Sequence, residues 1–259
     1  MLEQAGSEEV RSSGSPNGLI TLVFFTTFSC IAPAWGYRPF VSTDAAVVDP
    51  REVEIELGYF NLERADEENT FITPQVVLNW GLVRNLEIVG EFEVEKAPNE
   101  SAQVVDPALF LKTVLKEGVL QGKDGMSVAV EAGPLLPATG VGEEKFGFEG
   151  IGIMSGRFAD FTYHMNCGGG VNRARADPFA VWGVIVEFPI LWNVRLVGEV
   201  NGERGEGERA DSSGLFGFIW QPVSSELLVD LGLRRGISST APDWQLTTGL
   251  TFTFSLPSP

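Results

Sequence analysis

Histidine and cysteine are almost missing from this chain. Cys30 and Cys167 are the only cysteines among 259 residues, and His164 is the only histidine. A disulfide framework and a cysteine-based zinc site are thereby excluded, as is two-histidine metal chemistry. No cofactor and no metal is expected. Basic side chains are scarce too: 18 face 35 acidic ones, a formal net charge of −17. Phosphate backbones attract basic surface, so a nucleic-acid partner is disfavoured. Charged residues make up only 20%, while Phe occurs 18 times and Trp 6 times, which argues against a disordered chain.

Long apolar runs are also lacking, with one exception. Residues 19–34 (LITLVFFTTFSCIAPA) are apolar and uncharged. The run is short for a membrane-spanning helix and ends on the small-x-small pattern Ala32-Pro33-Ala34. It reads as a secretory signal peptide over residues 1–36, cleaved near Ala34 or Gly36. The stretch before it carries Glu3, Glu8 and Glu9 against Arg11 alone, so the true start lies downstream or the first residues are an extension. An N-terminal anchor helix is the alternative. No later run is long enough for a helix to cross a bilayer, so an exported membrane protein of this sequence must span by strands.

From residue 52 onward the pattern has period two. Val53, Ile55, Leu57 and Tyr59 alternate with Glu52, Glu54, Glu56 and Gly58. Leu86, Ile88 and Phe92 alternate with Glu87, Glu91 and Glu93. Leu246, Leu250, Phe252 and Phe254 alternate with Thr247, Thr251 and Thr253. Successive strand side chains point to opposite faces, so each segment has a mainly apolar and a mainly polar face. About twelve such segments are predicted between residues 51 and 254. Their connections alternate in character. One set is short, as at 83–85, 158–159, 191–193 and 223–225, with 118–125 a longer member. The other set is longer and polar: 63–70, 96–105, 136–145, 172–178, 203–212 and 236–243. Hairpins throughout would put all short turns at one end and all long loops at the other, the pattern of bacterial outer-membrane barrels.

Three features favour such a barrel over a soluble sandwich. Charged residues recur within the strands, where a barrel would aim them into a wet lumen. Aromatic residues such as Trp80, Phe161, Trp220 and Trp244 recur near strand ends, where interfacial girdles sit. The final strand closes on Leu250-Thr251-Phe252-Thr253-Phe254, similar to the assembly signal of outer-membrane proteins, although Ser-Leu-Pro-Ser-Pro follows it. In lipid every backbone N–H and C=O must be paired, so the sheet must close.

Beyond pattern lies a resemblance. Gly36-Tyr37-Arg38-Pro39-Phe40-Val41-Ser42-Thr43-Asp44-Ala45-Ala46-Val47-Val48 runs into Glu54-Ile55-Glu56-Leu57-Gly58-Tyr59. This resembles the opening of the outer-membrane family labelled phenol-degradation meta-pathway proteins, also called transporters. The segment Trp80-Gly81-Leu82-Val83-Arg84-Asn85-Leu86-Glu87-Ile88 is similar to that family's strand–turn–strand, as is Asp230-Leu231-Gly232-Leu233-Arg234-Arg235-Gly236 near the end. The resemblance covers residues 36–254 and implies an outer-membrane channel of about twelve strands. The link to aromatic solutes is only the family's label, and no catalytic or ligand-contact residue comes with it.

Candidate site residues follow from strand parity. Glu87, Glu91, Glu187 and Glu199 share a face with Arg195 and Arg234, and Lys112, Glu131, His164 and Asp230 join them as lumen-lining groups. Two readings stand. The charges form a constriction that selects solutes, as rings of charge do in pores, or they pair into a structural network that fills the lumen. His164, in Thr162-Tyr163-His164-Met165-Asn166, would need a nucleophilic Ser and an orienting group for hydrolysis. No Gly-x-Ser-x-Gly pattern occurs, so an enzyme is not expected. Cys167-Gly168-Gly169-Gly170 lacks the Lys-Ser or Lys-Thr of a phosphate loop and reads as a bulge or bend near a strand end. The acidic loop 203–212 matches no calcium loop.

The expectation is therefore all-β: a signal peptide, a periplasmic segment over 37–50, one transmembrane antiparallel β-barrel over 51–254 and a tail over 255–259. It would lie in the outer membrane of a Gram-negative cell, with the lipid bilayer as its partner. It would act as a channel or transporter for small molecules, or as a structural or interaction barrel with a filled lumen.

Overall fold

The computed structural model describes residues 38–139, 144–222 and 226–257. The expected signal peptide and the short turn at 223–225 lie outside the described residues. Twelve strands follow one another: β1 (Glu52–Ala65), β2 (Glu68–Val83), β3 (Leu86–Lys96), β4 (Gln103–Lys116), β5 (Ser127–Leu135), β6 (Gly147–Phe158), β7 (Phe161–Val171), β8 (Pro178–Leu191), β9 (Val194–Gly205), β10 (Asp211–Trp220), β11 (Leu227–Gly236) and β12 (Trp244–Ser255). Each pairs antiparallel with its sequence neighbours, and β1 pairs with β12, so the sheet closes on itself. A 3-10 turn, Val119–Gln121, sits between β4 and β5.

The alternation seen in the sequence becomes two surfaces. Leu78, Trp80, Leu111, Val184, Phe216 and Phe252 are exposed on the outside. Glu54, Glu56, Glu87, Glu187, Glu199 and Asp230 are buried on the inside. In water this arrangement would expose grease and bury charge. In a bilayer it is the favourable one, because outward side chains meet acyl tails while closure pairs the backbone. The short turns 84–85, 159–160 and 192–193 share one end, the periplasmic end by the rule for such barrels, together with the longer connection 117–126, and the connections 97–102, 136–146, 172–177, 206–210 and 237–243 share the other.

Two sequence expectations need correction. Residues 63–70 do not form a long loop: β1 runs to Ala65, β2 starts at Glu68, and Asp66 and Glu67 turn the chain with left-handed φ of 47° and 68°. Their polar neighbours stay in register, Glu63 opposite Thr70 and Arg64 opposite Asn69, because a strand standing clear of the lipid tolerates polar residues on both faces. Nor is the glycine triplet a bulge. Gly168, Gly169 and Gly170 pair without a register shift to both β6 and β8. A Cβ at Gly168 or Gly170 would collide with the carbonyl oxygen of Gly150 or Phe148 on β6. The glycines thus permit a close backbone approach in a regular strand.

Candidate functional site

Residues 38–50 were expected in the periplasm. Residues 38–48 lie inside the barrel instead. From the turn at Asp49, whose carbonyl accepts from Glu52 N, the chain reads backwards into the lumen and crosses it from wall to wall. Val48 N donates to Glu87 Oε2 on β3 at 2.7 Å. Ala45 N donates to Ser155 Oγ on β6 at 2.9 Å, and Ala45 O accepts from Gln121 Nε2 at 2.9 Å. Thr43 N donates to Asn166 Oδ1 on β7 at 3.0 Å, and Asn166 Nδ2 returns a bond to Thr43 O at 2.7 Å. Ser42 N donates to Glu199 Oε1 on β9 at 2.7 Å. Arg38 N donates to Glu56 Oε2 on β1 at 2.9 Å.

A segment without secondary structure must place its backbone groups somewhere. Here inward side chains of the wall take them, which explains why so many strand positions carry buried Glu, Asn and Ser. Close packing adds to this: a Cβ at Gly183 on β8 would overlap the Ser42 side chain.

The wall charges are largely paired, with the segment as partner or neighbour. Lys112 Nζ, fully buried, lies 3.6 Å from both Glu87 Oε1 and Asp44 Oδ1, and 3.3 Å from Thr43 Oγ1. Arg38 sits against β11, β12 and β2, where Nε lies 3.4 Å from Asp230 Oδ2 and the guanidinium also donates to Gln75 and Thr247. Arg234 Nη2 meets Glu199 Oε2 at 2.5 Å, and Nη1 donates to Ser213 Oγ at 2.9 Å. Glu187 receives Arg195 Nε at 3.1 Å.

His164 belongs to a relay. Its Nδ1 lies 2.8 Å from Ser155 Oγ, and its Nε2 lies 3.1 Å from Glu187 Oε1. An ionised Glu187 can only accept, so Nε2–H donates to it, and in the neutral ring Nδ1 then takes the hydrogen of Ser155 Oγ, which accepts from Ala45 N. A nucleophile, a base and an acid thus stand in line, a trio the sequence did not show. Hydrolases present Nε2 to the serine and Nδ1 to the acid; here the ring is reversed. Ser155 and His164 are 0% and 1% exposed, and Ala45 covers the hydroxyl. The trio's visible work is to anchor Ala45.

Of the ten residues expected to line the lumen, eight form this network: Glu87, Lys112, His164, Glu187, Arg195, Glu199, Asp230 and Arg234. Glu91 lies apart from it, and Glu131 stands opposite Lys112 in the β4–β5 register. Glu91 and Glu131 line a cavity of about 580 Å³ floored by Arg38, Phe40 and residues 41–43. Strand parity set Asn166 on the inward face with His164, but the sequence did not show Arg38, Asp44 and Ser155 as parts of the network. Parity could have placed Ser155 inward too, but nothing local could bring residues 38–48 to it.

No family model matches the chain, and no curated protein matches it in sequence. Its fold is similar to that of an outer membrane channel from Pseudomonas putida F1, with a TM-score of 0.56 at 7% identity over 81% of this chain and 97% of that one. It is also similar to the NanC porin, with a TM-score of 0.55 at 8% identity over 77% of this chain and 98% of that one. At such identities the likeness is one of fold. Closed sheet, outward apolar band and shared fold together make this an outer-membrane barrel.

Proposed function

We propose that the chain is an outer-membrane channel for small molecules whose lumen is shut at rest by residues 38–48 and opens when that segment shifts. One observation carries the reading: the segment crosses the lumen on separate hydrogen bonds to wall side chains, with ion pairs from Arg38 and Asp44, and no strand pairing holds it. Each such bond contributes about 1 kcal/mol net, so moving the segment costs far less than opening the sheet. The cavity beside it gives a solute somewhere to wait. The resemblance to the phenol-degradation family adds the suggestion of hydrophobic or aromatic solutes.

The second reading, a filled barrel of structural or binding function, draws on the same bonds and on the five ion pairs that link wall and segment or wall and wall. Planar bilayers holding the full chain separate the two. A gated channel rests mostly closed with brief openings, and Ser155→Ala, which removes the acceptor of Ala45 N, lengthens them. Folded wild-type and Ser155→Ala barrels that pass no current at any voltage would establish the filled barrel.

A further inference from the structure

The cavity has two unlike walls. One is apolar, although it faces a lumen. Val89, Phe110 and Leu135 are buried on the inner face of β3, β4 and β5, with Val77 and Phe179 packed against them. All five line the cavity. Lumens of membrane barrels are polar because water fills them, so a greasy inner patch calls for an organic occupant. Phe40, from the crossing segment, continues the apolar surface across the floor.

The other wall is acidic. Glu91, Glu131 and Glu149 line the cavity with Glu93, Asp106 and Glu203. The two arginines that also reach it are occupied. Arg173 is held by Asp106 at 2.9 Å and by the carbonyls of Leu136 and Pro107. Arg38 is spent on Asp230, Gln75 and Thr247. Among the described residues no cation comes within ion-pair distance of Glu91 or Glu149. Carboxylates crowded beside low-dielectric surface repel one another, and a cationic guest relieves that repulsion.

We infer that this cavity is a binding site for an amphipathic organic cation, an amine or quaternary ammonium carrying an aromatic or aliphatic body. The body lies on Val89, Phe110 and Phe179, and the charged end faces Glu91 and Glu149. The volume, about 580 Å³, falls within the range of small-molecule pockets, roughly 300–1,000 Å³. A hydrated metal ion would leave the apolar wall uncovered, and a neutral hydrocarbon would leave the acids unrelieved. Only a molecule with both parts satisfies both walls. The inference rests on reading the lumen as a solute path, and it names the class of solute.

The test is binding to the closed barrel, so it does not depend on whether the channel conducts. The full chain in lipid nanodiscs is titrated by calorimetry with 2-phenylethylammonium, 2-phenylethanol, 3-phenylpropionate and tetramethylammonium. The phenyl cation is expected to bind at least about tenfold more tightly than each of the other three. Glu91→Gln/Glu149→Gln should remove the preference over the alcohol, and Phe110→Ala should remove the preference over tetramethylammonium. Added salt should weaken the phenyl cation selectively. Equal binding of cation, alcohol and acid, or no binding by any, would overturn the inference. Tetramethylammonium binding as well as the phenyl cation would overturn it too, because the apolar wall would then play no part. Where one variant fails to fold, the other and the four-probe comparison on wild type still decide.

Discussion

Thr43 and Asn166 clasp each other twice. The Thr43 N–H donates to Asn166 Oδ1 at 3.0 Å, and Asn166 Nδ2 donates to Thr43 O at 2.7 Å. A side-chain amide thus mimics a neighbouring strand and fixes the middle of the crossing segment to β7. Removing both bonds with Asn166→Ala should cost about 2 kcal/mol and raise the ratio of open to closed channels about 30-fold. Single-channel recording reads that ratio directly, and an unchanged open fraction would show that the clasp does not hold the segment.

Gly183 tests the same contact from the wall. Any Cβ there overlaps the Ser42 side chain, while the strand neighbour it meets, Asn201 Cβ, stays at 3.5 Å. Gly183→Ala should therefore displace the segment and leave the sheet intact. Conductance should rise, while the temperature at which the barrel loses its folded, fast-migrating form on a gel should stay put.

Lys112 behaves differently, because its loss strands two acids. With Lys112→Met, Glu87 and Asp44 keep their burial and lose their common cation. Breaking a buried pair in this way costs about 3–5 kcal/mol. Urea unfolding from lipid should show it, and Lys112→Met/Glu87→Gln should recover part of the loss.

At the periplasmic end Glu117, between β4 and β5, gathers Lys123, Asn85 and Arg84. The hydrogen bond from Lys123, then those from Asn85 and Arg84, lower its pKa to about 2. A carboxylate held below its unfolded value stabilises the fold above that value and loses its effect as pH falls through the folded one. Glu117→Gln should thus lower the melting temperature slightly at pH 7. The gap to wild type should shrink below about pH 4.3, the usual glutamate value, and close near pH 2.

Much of this was legible in the sequence, and the reason is geometric. Period-two alternation is local, so Leu246 to Phe254 announces a strand with its outward face without reference to anything else. Strand number, closure and the inward direction of Glu87, Glu187 and Glu199 follow from the same signal. The crossing segment was not legible, because residues 38–48 have no period and bond to side chains distant in sequence, as Thr43 does to Asn166. The Ser155–His164 pair was hidden for a related reason: it depends on the register that sets Ser155 opposite His164 across β6 and β7. The apolar inner patch was masked on β4, where Leu109 and Leu111 face outward while Phe110 between them faces in.

The account stands on the lumenal position of residues 38–48, and thiol labelling probes it most directly. Ser42→Cys is nearly isosteric, and Ser42 is buried against β8 and β9. Ser101→Cys, on the exposed connection after β3, serves as the reference, both in a Cys30→Ser/Cys167→Ser background. With a membrane-impermeant maleimide on the folded barrel, the cysteine at 42 should react at least about a hundredfold more slowly, a protection of some 2.7 kcal/mol. Adding Gly183→Ala should speed it. Equal rates at 42 and 101 in the otherwise unaltered barrel would contradict the account.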